Sequence, residues 1–189
     1  MTMTVANLLR RSADAALPVL RGIGDDQLDL PTPCTEYQVG DLINHLFLVV
    51  VNFQHLARHE PADFSATPDV TGTDWRARFA AESDALVAAW SQPSALEGVS
   101  AGMGLPQPVV GQLVLLDLTV HAWDLAVATG QPYRPDADAV ARLGELVEMM
   151  DEQARAMKVF GDEVAVPDGA DPFTRLLGRA GRDPGWSPA

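Results

Sequence analysis

Residues 107–130 read QPVVGQLVLLDLTVHAWDLAVATG, and the character of this stretch decides the fold class. Between Pro108 and Gly130 it is apolar nearly all round, the composition of a helix buried on every side. The spacing predicts a helix over roughly 107–129, with Gly130 as its C-terminal cap. Its ionisable side chains are Asp117, His121 and Asp124, spaced four and three residues apart. All three therefore share one face, with neighbouring Cβ atoms about 5–6 Å apart. Such residues argue against a membrane span. Burying a carboxylate is costly, and pairing, hydrogen bonding or a metal must offset the cost.

Outward from this segment, apolar spacing predicts four more helices. The first covers roughly 4–21, with Val5, Leu8, Leu9, Leu17 and Leu20 on one side. Pro18 is expected to kink it or end it early. The second covers roughly 36–59, with Val39, Leu42, Ile43, Leu46, Val50 and Phe53 as its buried stripe. Thr35 and Gln38 read as its capping box. The third covers roughly 74–92 and buries Trp75, Phe79, Leu86 and Trp90. The fifth covers roughly 136–158, where Val140, Leu143, Val147, Met150, Ala154 and Met157 recur as in a bundle seam.

The connection at 60–73 is long and polar, which lets two neighbouring helices run parallel. The glycine-rich loop at 93–106 is expected to shape an opening. After the fifth helix, FGDEVAVP reads as extended and residues 171–179 as a short helix. Strand signals are weak throughout. The expectation is an all-α four-helix bundle with an extra C-terminal helix and a short tail. It is read as a single domain, 1–189, with residues 159–189 packed on the bundle as an extension.

A net charge of -13 repels phosphate backbones, so nucleic acid is not an expected partner. A single cysteine, Cys34, permits no internal disulfide and no multi-cysteine zinc knuckle. The N-terminal run MTMTVANLLRRSADAAL lacks the basic-then-apolar order of a signal peptide. The expected location is the cytoplasm, with no membrane attachment.

Asp117 and His121 alone are a weak pair, since Asp-x-x-x-His on a helix often makes only a hydrogen bond. A metal needs a third ligand, and the remaining histidines, His45, His55 and His59, all lie on the second helix. His45 sits at the edge of the apolar stripe, whereas His55 and His59 turn toward the polar face. His45, Asp117 and His121 are therefore the expected ligands. Two imidazoles and a carboxylate give zinc three protein ligands and an open fourth position. Nickel or non-haem iron suits the same set. Asp124 has two open readings: it orients His121 from behind the ligand shell, or it is a helix-end acceptor. Cys34 also has two: a nucleophile near a helix start, or a small buried hydrophobe. No histidine or basic residue lies close to it in sequence, which favours the second. Trp90 and Trp123 read as core residues.

The stretch LPTPCTEYQVGDLINHL and the downstream LLDLTVHAWDLAVATGQ resemble the mycothiol-dependent maleylpyruvate isomerase-like group, within the DinB-like superfamily of metal-binding four-helix bundles. The ending FGDEVAVPDGADPFTRLLGRAGRDPGW is similar to the tails of a short actinobacterial branch of that group. The resemblance implies a divalent metal on His45, Asp117 and His121, with mycothiol as a thiol cosubstrate. The isomerase uses glutamate where Asp117 stands, and many DinB-like members use three histidines. The isomerase also carries a separate α/β domain after its bundle, where this chain has only residues 159–189.

The functional expectation is a transferase or isomerase in which the metal activates a small thiol against an electrophilic substrate. Two alternatives stand beside it. One is a hydrolase using metal-bound water, with Asp124 as the base. The other is a non-catalytic metal-binding interaction module. A homodimer is compatible with this scaffold.

Overall fold

The computed structural model describes residues 3–156 and 161–188. Six α-helices order the described chain: α1 (Val5–Gly22), α2 (Val39–Ala57), α3 (Trp75–Trp90), α4 (Gln107–Ala128), α5 (Ala137–Ala156) and α6 (Pro172–Arg179). Among the described residues the only β pairing is two isolated bridges, Pro31 with Gln38 and Val99 with Pro106. The fold is all-α, as expected. The side-chain roles anticipated for Ala154 and Met157 lie outside the described residues.

Helices α1 to α4 form the bundle, and their directions follow from which residues meet. Ser12 of α1 accepts from the Thr119 hydroxyl of α4 at 3.3 Å, and Gln131 just past α4 donates to the Val19 carbonyl at 2.9 Å. These pairs advance together, so α1 and α4 are parallel. Arg76 at the start of α3 bonds Asp25 beyond the end of α1, while Arg10 meets Asp84, so α1 and α3 are antiparallel. Phe47 packs edge-on against Phe79, and Gln54 donates to Glu82, so α2 and α3 run parallel.

Two parallel neighbours in sequence need a connection that travels back the length of a helix. Residues 58–74 provide it, and polar side chains of α2 staple it down. Asn52 bonds the Asp63 backbone in both directions, and Asn44 accepts from Val70 N at 2.9 Å.

Helix α4 is the core element. Val110, Val114, Leu115, Leu118, Ala122 and Leu125 are fully buried. Each large apolar side chain of this kind contributes about 1.5–3 kcal/mol on leaving water. The helix is long and apolar enough to cross a membrane by composition, but it is packed inside the bundle. Gly111 allows its closest contact. A Cβ there would stand 2.8 Å from Val5 Cγ1 and 2.9 Å from the Trp90 ring. The helix ends as expected: Gly130 takes φ +68°, a conformation glycine adopts without steric cost.

Three local expectations need correction. Pro18 does not end α1, which continues to Gly22. Pro18 and Asp14, whose carbonyl loses its helical donor, are both exposed, so water can serve the freed group. The Thr35–Gln38 capping box does not form. Residues 31–38 instead make a tight loop in which the Thr32 hydroxyl donates to the carbonyls of Cys34 and Tyr37. Helix α2 therefore starts later, with Gln38 N bonded to Asp41 Oδ2 at 3.2 Å. The loop at 93–106 is also misplaced by the sequence reading. Gln107, directly after it, donates to the Leu56 carbonyl near the end of α2. Leu56 lies about 16 Å along α2 from His45, so this loop does not shape the opening over His45.

The tail packs back on the bundle. Asp171 caps α6 by accepting from Phe173 N and Thr174 N. Leu176 and Leu177 join the core, and Arg179 pairs with Glu148 of α5 at 3.1 Å.

Candidate metal centre

The site forms where α2 and α4 cross. Because α4 is one continuous helix through this stretch, Asp117 and His121 stack on one face, and His121 Nε2 lies 3.5 Å from Asp117 Oδ1. His45 comes from α2, and its ring meets the His121 ring edge-on at 5.0 Å. The ligand atoms of His45, Asp117 and His121 all lie within 4.8 Å of one another. The residues expected from sequence are thus brought together from two elements. His121 is buried, His45 is half-buried, and the Asp117 side chain is 33% exposed, so the trio opens to solvent on the Asp117 side.

Asp124 sits one turn further on and is fully buried. Its Oδ2 accepts from His121 Nδ1 at 2.9 Å. That bond fixes the imidazole so that Nε2 is the nitrogen facing Asp117 and His45. Asp124 is tied in turn to Arg182, whose Nε lies 3.4 Å from Oδ1 and Nη2 3.2 Å from Oδ2. The Arg182 side chain is 11% exposed, so the pair is an interior one.

On the other side, Tyr37 stacks on His45 with ring centroids 5.1 Å apart, and its hydroxyl lies 3.3 Å from His45 Nδ1. The stapled loop that sets Tyr37 also presents Cys34. The thiol, His121 and Asp124 form a second trio whose ligand atoms lie within 4.8 Å of one another.

The electrostatics follow from this packing. Burial pushes the His45 imidazole below its ordinary value; Asp117 opposes this, and His121 and Arg182 reinforce it. Burial works against the charged form of His121 too, but hydrogen bonds to Asp117 and Asp124 outweigh it and raise its pKa. For Asp117 burial favours the neutral acid, yet His121, His45 and Arg182 together hold it below the usual carboxylate range. Burial pushes the Cys34 thiol up, which Arg182 opposes and Asp124 reinforces.

The donor set fits a divalent metal. A neutral His45, a carboxylate and a His121 held by Nδ1 supply two imidazole nitrogens and an oxygen, a competent zinc, nickel or iron set. The second trio fits less well. His121 Nδ1 and both Asp124 oxygens are already engaged, and the guanidinium beside them repels a cation. His55 and His59 stand apart, His55 on Glu60 at 2.9 Å and His59 on the Ser94 carbonyl at 2.8 Å.

Sequence reading missed Arg182, Tyr37 and the nearness of Cys34. A signal for Arg182 existed: a carboxylate buried in α4 requires a counter-charge, and the tail carries Arg175, Arg179 and Arg182. For Tyr37 and Cys34 the signal was the loop geometry, hidden by the misassigned capping box.

Residues 9–126 match the family model described as the mycothiol maleylpyruvate isomerase N-terminal domain. Two uncharacterized proteins of Mycobacterium tuberculosis, one from each of two strains, are 35% identical over 182 residues, covering 92% of this chain and 94% of theirs. No solved structure matches significantly. The α2–α4 junction holding His45, Asp117 and His121 falls within the matched stretch, and Arg182 falls outside it. The chain belongs to the mycothiol maleylpyruvate isomerase N-terminal domain family.

Proposed function

We propose that this protein is a divalent-metal enzyme that works with a low-molecular-weight thiol, mycothiol by its family, as a transferase or isomerase. One observation carries the reading: His45, Asp117 and His121 converge within 4.8 Å, with the far nitrogen of His121 already bonded to Asp124. A divalent ion held there, zinc first among candidates, would favour loss of a thiol's proton at neutral pH and leave a thiolate able to attack an electrophilic carbon.

The chain's own residues serve that chemistry in distinct ways. His45 is kept neutral by burial, ready to donate a nitrogen lone pair. Asp124 orients His121. The charges of Asp117, Asp124 and Arg182, set against a divalent ion, leave the site net positive, which suits a single anionic ligand such as a thiolate. Tyr37 stacks on His45 and restricts how that ring can turn. The partial exposure of Asp117 leaves a side from which a small molecule can approach. The same reading places the protein in the cytoplasm, where thiols are kept reduced.

The hydrolase alternative loses support, because its named base, Asp124, is fully buried and engaged by His121 and Arg182. The partial exposure of Asp117 counts against a closed, non-catalytic metal module.

The test is to strip the protein with a chelator, reload it, and titrate mycothiol by calorimetry. Stoichiometric metal and mycothiol binding confined to the loaded form are expected. Absence of metal uptake sinks the whole reading. Equal thiol binding with and without metal removes the thiol part alone.

A further inference from the structure

Two ligand trios share His121: His45 with Asp117 on one side, Cys34 with Asp124 on the other. His121 turns Nε2 toward the first trio and Nδ1 toward Asp124, so the two sides of one ring offer a metal two competing places. We infer that Arg182 decides between them, by occupying Asp124 and so excluding metal from the Cys34 trio. The inference rests on the metal reading above.

The geometry is specific. Arg182 covers each Asp124 oxygen with a different nitrogen, at 3.4 Å and 3.2 Å. Its third nitrogen, Nη1, donates to the Ala180 carbonyl at 3.0 Å, which anchors the guanidinium to its own segment of the tail. Asp124 Oδ2 also accepts from His121 Nδ1 at 2.9 Å. The lone pairs a metal would need on that side are therefore turned toward protons. A fixed positive charge stands beside them and beside Cys34. Among the described residues no arginine or lysine bonds the first trio, and His121 turns toward it Nε2, the nitrogen that Asp124 does not hold. Without Arg182, Asp124 could rotate off His121, and a carboxylate, an imidazole and a thiol would remain as a mixed sulfur–nitrogen–oxygen set that soft and borderline metals accept.

This makes Arg182 a positioning residue that acts through Asp124. It also gives the C-terminal segment a part in the site, although the segment lies beyond the stretch that matches the family model.

Cobalt(II) alone is the probe, because thiolate ligation adds a sulfur-to-cobalt charge-transfer band in the near ultraviolet. The parent chain is expected to take up cobalt without that band, and Cys34→Ser should leave its spectrum unchanged. Arg182→Gln should develop the band, and Arg182→Gln combined with Cys34→Ser should lose it. Should Arg182→Gln fail to fold by circular dichroism, Arg182→Lys carries the test. A lysine keeps the charge but cannot cover both oxygens, so a weaker band is expected.

A folded Arg182→Gln, or Arg182→Lys in its place, without the band overturns the inference. So does a band in the parent chain that Cys34→Ser removes. If the parent takes no cobalt but Arg182→Gln takes it through Cys34, the exclusion by Arg182 stands and the His45 site falls. If neither takes cobalt, both readings fall.

Discussion

Arg182 and Asp124 are separated by 58 residues and meet in the interior through two hydrogen bonds, at 3.4 Å and 3.2 Å. Asp124 has no exposed surface and Arg182 little, so neither group can fall back on water if the other is removed. Asp124→Asn is therefore expected to destabilise the protein by about 3–5 kcal/mol, the usual consequence of stranding a buried charge. It should also weaken metal binding by about 10–100-fold, because His121 loses the partner that orients it. Urea unfolding and competition with a chromogenic chelator measure the two effects. A variant as stable and as tight-binding as the parent would remove both roles.

The histidines divide sharply by position. His45→Ala and His121→Ala should each abolish stoichiometric metal, while His55→Ala and His59→Ala should retain it. His55 lies in the last turn of α2 and His59 just past its end, on Glu60 and the Ser94 carbonyl respectively. Elemental analysis of the four variants decides this. Loss of metal in His55→Ala would place the centre elsewhere.

Metal binding should be linked to pH through His121. In the metal-free protein its pKa is raised by Asp117 and Asp124, so a proton competes with metal on that ring. Raising pH through this elevated pKa removes the competitor. Affinity should climb and then level off, with proton release on binding below that point. Stability of the metal-free form should move the other way. A raised histidine pKa contributes stability that is present below the unfolded value and lost as pH rises through the folded one. Asp117, with a lowered pKa, contributes stability lost only as pH falls through its own folded value. The metal-induced rise in Tm should therefore grow with pH across the His121 transition. Thermal melts with and without metal across that range test it, and a gain that is flat or shrinks with pH would contradict the assignment.

Gly111→Ala tests the bundle independently of the site. Its new methyl group would meet Val5 and the Trp90 ring at under 3 Å, both in packed surroundings. A loss of about 1–3 kcal/mol is expected from this overpacking. Denaturant midpoints would reveal it, and a neutral substitution would mean that α1 can move aside.

Much of this structure is written in local pattern. The apolar run around Asp117 and His121 specified α4 and its burial, because helical periodicity survives in any window of the sequence. The choice of His45 over His55 and His59 followed from angular position alone, and the structure brings His45 to His121. What escaped was set by contacts distant in the chain. Thr32 bonds two carbonyls and holds the loop that sets Cys34 and Tyr37, and no local propensity signals this. Arg182 is one of several tail arginines, and only the packing of α6 selects it. The assignment of the 93–106 loop to the site failed for a related reason: spacing along a helix does not say which end faces the ligands.

The connection at 58–74 has a consequence for how the chain finds its fold. Since it reverses no direction, α3 lies along α2, and α1 meets its parallel neighbour α4 only through contacts such as Ser12 with Thr119, 107 residues apart. Such distant closure raises contact order and slows folding relative to a bundle of simple hairpins. During synthesis, α1 must wait beside α3 with one apolar flank uncovered until α4 emerges. Asp117 and His121 arrive on that same late segment, so bundle closure and their meeting with His45 become one event.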